Sequence, residues 1–335
     1  MNIYDISKKA GVSIATVSRV MNGSASVSEK TRQKILDIMA ENDYTPNAFA
    51  RGLGLKTMKT IGFLCADSSD QFFSRAVYYL ERALRSNGYD AILSCTGMDL
   101  DTRKKYLKML LAKKVDAVIL VGSSFIEDNY EKNQYIFDAA AEVPIIILNG
   151  YLDAPNVYCV LCYDTAIVQQ AATVFLEHGR KDMLFIYRSD SYSGKRKLAG
   201  FKKAYTRLGI PLDPRQILLF NGSIGEVKQK LLELSENGLS FDTVLTSDDD
   251  LAIGALKYAK EKKLSVPYEF SVLGYNNSQL SICCEPELST IDNQLEFCCS
   301  HAVTALMGVL DGKDAPGKTV LSARIIQRGT TTVFH

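Results

Sequence analysis

No stretch of the 335-residue chain approaches the roughly 18 to 20 uninterrupted apolar residues that a membrane span requires. The N-terminus, Met1-Asn2-Ile3-Tyr4-Asp5, lacks the apolar core of a secretory signal, so the expectation is a cytoplasmic protein with no membrane partner. Histidine is scarce: there are three, His178, His301 and His335, and none stands at a His-x-x-x-His or His-x-x-Glu-His spacing for helical metal binding. The adjacent pairs among the eight cysteines, Cys283-Cys284 and Cys298-Cys299, do not reproduce the spaced Cys-x-x-Cys ligands of a zinc site. In a long chain without a secretory signal the cysteines read as reduced thiols, several of them buried. No Gly-x-Gly-x-x-Gly follows a strand, and neither a Walker-type phosphate loop nor a Gly-x-Ser-x-Gly elbow occurs. Neither metal, cofactor nor catalysis is therefore expected.

With 47% hydrophobic and 23% charged residues the chain is globular, and it is longer than one core usually organises, so two or more units are expected. The net charge of +1 hides an asymmetry: residues 1–60 hold nine basic and five acidic side chains, a net +4, which leaves −3 on the remainder. A basic head on a slightly acidic body suits a phosphate-backbone partner for the head alone. Three helices are expected in the head, over 4–10, 14–21 and 29–41, with Gly11 ending the first, Ser13 and Ser28 as caps, and Val12 with Val17 at staple spacing.

From residue 60 onward, apolar runs alternate with amphipathic segments, the mark of βαβ units and parallel sheets. Strands are expected at 61–65, 91–94, 117–121, 145–148, 184–187, 217–219, 243–246 and 271–274. Two sets of four imply two doubly wound lobes facing each other across a cleft. Ligands of open α/β sheets bind beyond the C-terminal strand ends, which makes the residues there the ones to watch.

In the head, Gly11 followed by a helix three residues later fits a helix-turn-helix. Val17, Val20 and Met21 share one face of the second helix and should point inward. The other face presents Ser13, Ile14, Ala15, Thr16, Ser18 and Arg19, small or hydroxylic groups with one guanidinium, suited to a major-groove edge. By itself this pattern also fits an ordinary solvated helix of a small domain. The string Ile3-Tyr4-Asp5-Ile6-Ser7-Lys8-Lys9-Ala10-Gly11-Val12-Ser13-Ile14-Ala15-Thr16-Val17-Ser18-Arg19-Val20-Met21-Asn22-Gly23, with Val27 to Arg32 and Tyr44-Thr45-Pro46-Asn47, resembles the LacI/GalR headpiece. The resemblance implies base reading by Ile14, Ala15 and Arg19, and backbone contacts from Tyr4, Ser13, Thr16, Ser18, Asn22, Ser28 and Thr31. Over Pro46 to Leu53 it implies a hinge helix that meets DNA through Ala50 and Leu53, Leu53 wedging into the minor groove; a plain linker is the alternative. Gly52 and Gly54 each cost a helix about 1 kcal/mol relative to alanine, which suits folding upon DNA.

The resemblance, shared with periplasmic sugar-binding proteins, continues over 60 to about 330. Its landmarks are Asp67 to Phe73, Leu198-Ala199-Gly200-Phe201, Asp248 to Ala255, Val272 to Asn277 and Leu288 to Ile291. They imply an effector site of Asp70, Phe72, Phe73, Asn149, Lys197, Asp248 and Asn276. Carboxylates and amides would bond adjacent hydroxyls of a sugar-like ligand while aromatic rings cover its C–H face. Core packing remains the alternative for one of the two phenylalanines, and helix capping for Asp248. The chain departs from the family pattern at several of these positions: Asp70-Gln71 replaces Asn-Pro, Lys197 beside Arg196 replaces arginine, Asp248-Asp249 replaces Asn-Asp, and Asn276 replaces aspartate. The loop near Asn221-Gly222-Ser223 lacks an aromatic found there in many members.

The implied fold is an all-α helix-turn-helix headpiece plus an α/β periplasmic-binding-protein-like core of two doubly wound parallel-sheet lobes. Residues 1–45 would bind DNA, 46–59 form hinge and linker, and 60–335 sense effector and dimerise. The N-lobe is expected at about 60–158 and 290–317, the C-lobe at about 159–289 and 318–332. The implied function is that of a homodimeric repressor on palindromic operator DNA, controlled by a small effector between the lobes. A sugar-binding module without DNA function is the rival reading, against which the basic head argues.

Overall fold

The computed structural model describes residues 1–21, 24–44 and 57–334. Three helices open the chain: α1 (Ile3–Ala10), α2 (Ile14–Met21) and α3 (Glu29–Glu41). Local chemistry sets their ends. Asn2 accepts from the backbone of Tyr4 and Asp5 while the Asp5 carboxylate accepts from the Asn2 N–H, a reciprocal capping box. Gly11 ends α1 at φ +67°, in the left-handed region that costs glycine little. Ser13 Oγ accepts from Thr16 N at 3.1 Å, and Ser28 Oγ from Thr31 N at 3.4 Å. Ile6, Ala10, Val17, Val20, Ile35 and Met39 form the small buried core, with Val12 and Met21 packed at its margin.

Two six-stranded sheets follow. The first takes β1 (Thr60–Cys65), β2 (Asp90–Cys95), β3 (Ala117–Val121), β4 (Ile145–Leu148), β5 (Val157–Cys162) and β11 (Lys318–Leu321) in the order β2-β1-β3-β4-β5-β11, every pairing parallel. The second takes β6 (Met183–Tyr187), β7 (Ile217–Leu219), β8 (Thr243–Thr246), β9 (Ser271–Tyr275), β10 (Ser289–Asp292) and β12 (Arg324–Ile326) in the order β7-β6-β8-β9-β10-β12, parallel except for the β10–β12 pair. Between the strands run α4 (Gln71–Ser86), α5 (Leu100–Ala112), α6 (Gln134–Ala140), α7 (Asp164–Glu177), α8 (Tyr192–Leu208), α9 (Ile224–Glu236), α10 (Asp249–Glu261), α11 (Leu280–Cys283) and α12 (Leu295–Leu310). Each sheet carries a buried apolar cluster on either face, for example Phe63, Leu80 and Cys299 against Leu64, Leu110 and Ile136 in the first lobe. The doubly wound reading of both lobes follows from this layering.

The lobe boundaries fall one strand away from the expected ones. Val157–Cys162 pairs as a unit with β4, so 159–162 belongs to the first lobe and not the second. Ser289–Asp292 pairs with β9, which moves 290–292 into the second lobe, and Lys318–Leu321 pairs with β5, which returns 318–321 to the first. The chain therefore crosses between lobes through Tyr163, through Asn293 and Gln294, and through Ser322 and Ala323. All eight cysteines are free thiols. Cys159 and Cys162 do have Cys-x-x-Cys spacing, but they sit on a strand, where residues three apart point to opposite faces.

Candidate functional site

Helix α2 turns Val17 and Val20 inward and leaves Ser13, Ile14, Ala15 and Arg19 exposed, with Thr16 and Ser18 half-buried. Tyr4 on α1 is 67% exposed, Ser28 is exposed, and Thr31 is half-buried. Ser13 Oγ lies 2.9 Å from Thr16 Oγ1 at the start of α2, and Ser28 Oγ lies 2.9 Å from Thr31 Oγ1 at the start of α3. The two helix N-termini thus present hydroxyl pairs beside unsatisfied backbone N–H groups, an arrangement that suits phosphate oxygens. Asn22, Ala50 and Leu53, expected to touch DNA, lie outside the described residues.

Between the lobes lies a cleft of about 570 Å³, and all seven expected effector residues line it. The first lobe contributes Asp70, Phe72 and Phe73 from the start of α4, and Asn149 just past β4 at φ +62°. The second contributes Lys197 from α8, Asp248 past β8 and Asn276 past β9 at φ +95°. Asparagine adopts this left-handed region more readily than other side chains that carry a Cβ.

Several of these groups do two things at once. Asp70 caps α4, its Oδ1 accepting from Phe72 N at 2.8 Å and Phe73 N at 3.2 Å. Burial raises its carboxyl above the usual range, and the nearby Asp248 charge adds to that. The rings of Phe72 and Phe73 meet edge to face at 5.5 Å; both pack on the first-lobe core and both also face the cleft. Gly122 stands behind Phe73, where a Cβ would come within 2.5 Å of the ring. Asp248 caps α10, accepting from Leu251 N at 3.1 Å, and also receives Nε and Nη2 of Arg188 at 3.0 and 2.9 Å. Asp248 thus caps the helix and lines the cleft at once.

Lys197 is a buried brace. Its Nζ donates to Ser247 O at 2.9 Å and sits 3.6 Å from the centre of the Tyr275 ring. Burial pulls its pKa below the ordinary lysine value, against the opposing pull of Asp164. Tyr275 in turn hydrogen-bonds Asp164. Asn276 Oδ1 accepts from Asn293 Nδ2 at 2.9 Å, which ties the cleft to an interlobe crossing.

Arg188 and Asn221 line the cleft without having been singled out for it. Arg188 directly follows β6, so the strand-end rule itself pointed to it. Beyond its Asp248 pair, Arg188 Nη1 donates to Asn221 Oδ1 at 3.1 Å and Gly222 O at 3.3 Å. Burial works against its charge, but hydrogen bonding to Asp248 and that residue's charge hold its pKa above the ordinary arginine value. Ser123, Ser124, Ser189, Ser191 and Ser193 complete a hydroxyl-rich wall.

Comparison with known proteins gives a consistent set of matches. Residues 2–47 match the family described as bacterial regulatory proteins, lacI family, and residues 172–331 match the periplasmic binding protein-like domain. An HTH-type transcriptional regulator of Lachnoclostridium phytofermentans is 53% identical over 331 residues, covering 99% of each chain. The HTH-type transcriptional regulator AscG of Escherichia coli is 27% identical, covering 97% of each. Among solved structures, the lac repressor dimer bound to operator and the anti-inducer ONPF superposes with a TM-score of 0.88 at 25% identity over 98% of each chain.

Proposed function

Because the chain belongs to the LacI family of bacterial regulatory proteins, we propose that it is a cytoplasmic repressor that binds a palindromic operator as a homodimer and changes its operator affinity when a small polyhydroxylated effector enters the cleft. DNA-binding transcription regulation, and not catalysis, is what its relatives are named for. In this reading residues 1–45 hold the operator, 46–59 form the hinge, and 60–335 sense the effector. Ile14, Ala15 and Arg19 read bases. Tyr4, Ser13, Thr16, Ser18, Asn22, Ser28 and Thr31 hold the backbone, and Ala50 and Leu53 act in the hinge. Dimerisation is supported by the small reach of one headpiece: a two-fold pair doubles the contacts on a symmetric site.

The observation that carries the effector reading is the convergence of Asp70, Phe72, Phe73 and Asn149 from one lobe with Lys197, Asp248 and Asn276 from the other on a single cleft. Its amides, hydroxyls and carboxylates bond hydroxyls, and its two phenylalanine rings offer an apolar face, the combination a sugar or sugar derivative requires. A ligand that touches both lobes favours one lobe arrangement, and only such a difference in affinity shifts the equilibrium.

The test is a pair of titrations with the full chain. Operator fragments are first selected from random duplex DNA by the protein itself, and thermal-shift screening against sugars supplies the ligand. Operator affinity is then measured with and without saturating ligand, and ligand affinity with and without operator. A reciprocal change of about 5- to 150-fold is expected. A cleft ligand that leaves both affinities unchanged would refute the switch, and failure to select any DNA would refute the regulator.

A further inference from the structure

Three carboxylates and two cations line the cleft: Asp67, Asp70 and Asp248 against Arg188 and Lys197. The cations are already committed. A guanidinium has five N–H donors, and four of those on Arg188 are bonded, two to Asp248, one to Asn221 and one to Gly222. Its Nη2 also has the Asp250 carboxylate 3.9 Å away. Lys197 is buried, bonded to Ser247 O and stacked on Tyr275. An incoming phosphate or carboxylate would have to break one of these arrangements and then meet a site that already has one negative charge in excess.

The unspent groups have the opposite character. Among the described residues, the hydrogen bonds of Asp67 and Asp70 all fall on Oδ1, leaving Oδ2 of each to accept. Ser124 Oγ is buried, lines the cleft and has no partner among the described residues. The free carboxylate oxygens ask the ligand for hydrogen-bond donors, while the Ser124 hydroxyl and the Asn149 and Asn276 amide groups can serve its uncharged acceptors. Resting on the cleft reading above, we infer that the effector is an uncharged or amine-bearing polyol, and that the Arg188–Asp248 fork excludes phosphorylated and acidic forms.

The resemblance implies Lys197 as one of the effector residues, and in the cleft its ammonium is already bonded to Ser247 O. The geometry makes Lys197 a brace and Arg188 a neutralised wall, so specificity against anions resides in Asp248, which keeps the guanidinium occupied.

The experiment uses glucose 6-phosphate, glucose and inorganic sulfate as probes, read by isothermal titration and thermal shift on the full chain. The wild type should show no binding of either anion. Asp248→Asn keeps the Oδ1 that caps the helix and accepts from Arg188 Nη2, but it removes the counter-charge and frees the Arg188 Nε donor, so it should gain at least about tenfold in affinity for glucose 6-phosphate or sulfate, as a charge-assisted bond to the released guanidinium allows. The double variant Arg188→Met with Asp248→Asn should lose that gain, which assigns it to the cleft and not to the basic headpiece. Circular dichroism and operator binding report whether each variant is folded. Binding of glucose 6-phosphate by the wild type would overturn the inference, as would a folded Asp248→Asn protein with no gain. Failure of the regulator reading is registered separately, by loss of ligand-dependent change in operator affinity.

Discussion

Beside the cleft carboxylate Asp248 stands Asp249, turned inward, 2% exposed, with Oδ1 accepting from Thr290 Oγ1 and Oδ2 from Ser278 N, each at 2.6 Å. Burial raises its pKa from 3.8 to about 6, although both hydrogen bonds pull the other way. A carboxyl whose folded value is raised contributes stability that is fully present below the unfolded value and is lost as pH rises through the folded value. The interval between 3.8 and about 6 corresponds to about 3 kcal/mol at 1.36 kcal/mol per pH unit. Asp249→Asn removes the titration while keeping the shape, since Oδ1 of an asparagine can accept from Ser278 and its amide can donate to Thr290 Oγ1. Urea unfolding of both proteins, followed by circular dichroism at intervals from pH 4 to pH 7.5, gives the difference in stability at each pH. That difference cancels the other carboxylates, several of which, such as Asp99 and Glu226, are lowered and give the opposite slope. Because the full difference is reached only below pH 3.8, the wild type should fall relative to the variant by about 2 kcal/mol between pH 4 and pH 7.5, mostly below pH 6.5. Parallel curves would refute the reasoning, because they would mean that Thr290 and Ser278 fully offset the burial of the charge.

The remaining expectations concern the headpiece and the packing behind the cleft. Arg19→Ala should weaken binding to the selected operator by about 1 to 3 kcal/mol with a much smaller loss on random DNA, measured by fluorescence anisotropy at fixed salt; equal losses would make Arg19 a phosphate contact. Gly274→Ala should destabilise the chain by about 1 to 3 kcal/mol in urea, because its Cβ would stand 2.2 Å from Asp249 Oδ1 and 2.8 Å from Leu288 Cδ2. An unchanged midpoint there would mean that Asp249 gives way.

What the sequence reveals depends on how local the cause is. The headpiece helices are legible because Ser13, Gly11 and Ser28 fix their ends from within a few residues. Strands such as Ala117–Val121 and Ile145–Leu148 are legible as short apolar runs, all buried. Val157–Cys162 is just as apolar, but no helix separates it from β4, so a reading built on strand–helix alternation passes over it. Ser289–Asp292 is three-quarters polar yet wholly buried. Its hydroxyls are satisfied by Asp249 and Thr331, about forty residues away in either direction, a pairing that no local pattern announces. Greater separations still hide the role of Lys197, whose burial depends on Ser247 and on Tyr275. Asn149, Asp248 and Asn276 stand just past strand ends, where the topology rule looks, but Lys197 lies well inside a helix, and it was the family resemblance that implied the set as a whole.

The crossings between lobes give the proposed switch its mechanical logic. Each is one or two residues long, and the second and third are bonded, Gln294 Nε2 donating to Ser322 O, beside Asp292, which accepts from Gln294 N through Oδ1 and from Arg324 through Oδ2 at 2.9 Å. Elsewhere the lobes are bridged by polar contacts, among them Arg75 to Asn277 O at 3.1 Å and an ion pair of Lys195 with Asp128, and by Tyr192, which packs against the first-lobe core. An exposed ion pair such as Lys195–Asp128 holds two bodies weakly, and relative motion of two domains joined by such contacts is the default expectation. Asn276 joins the two regimes, because it lines the cleft and its Oδ1 accepts from Asn293 in the central crossing. A ligand hydroxyl that donates to Asn276 therefore acts on a group already bonded to the pivot, and its binding energy is expressed where a small rotation moves the first lobe, and the headpiece that precedes it in the chain, relative to the second.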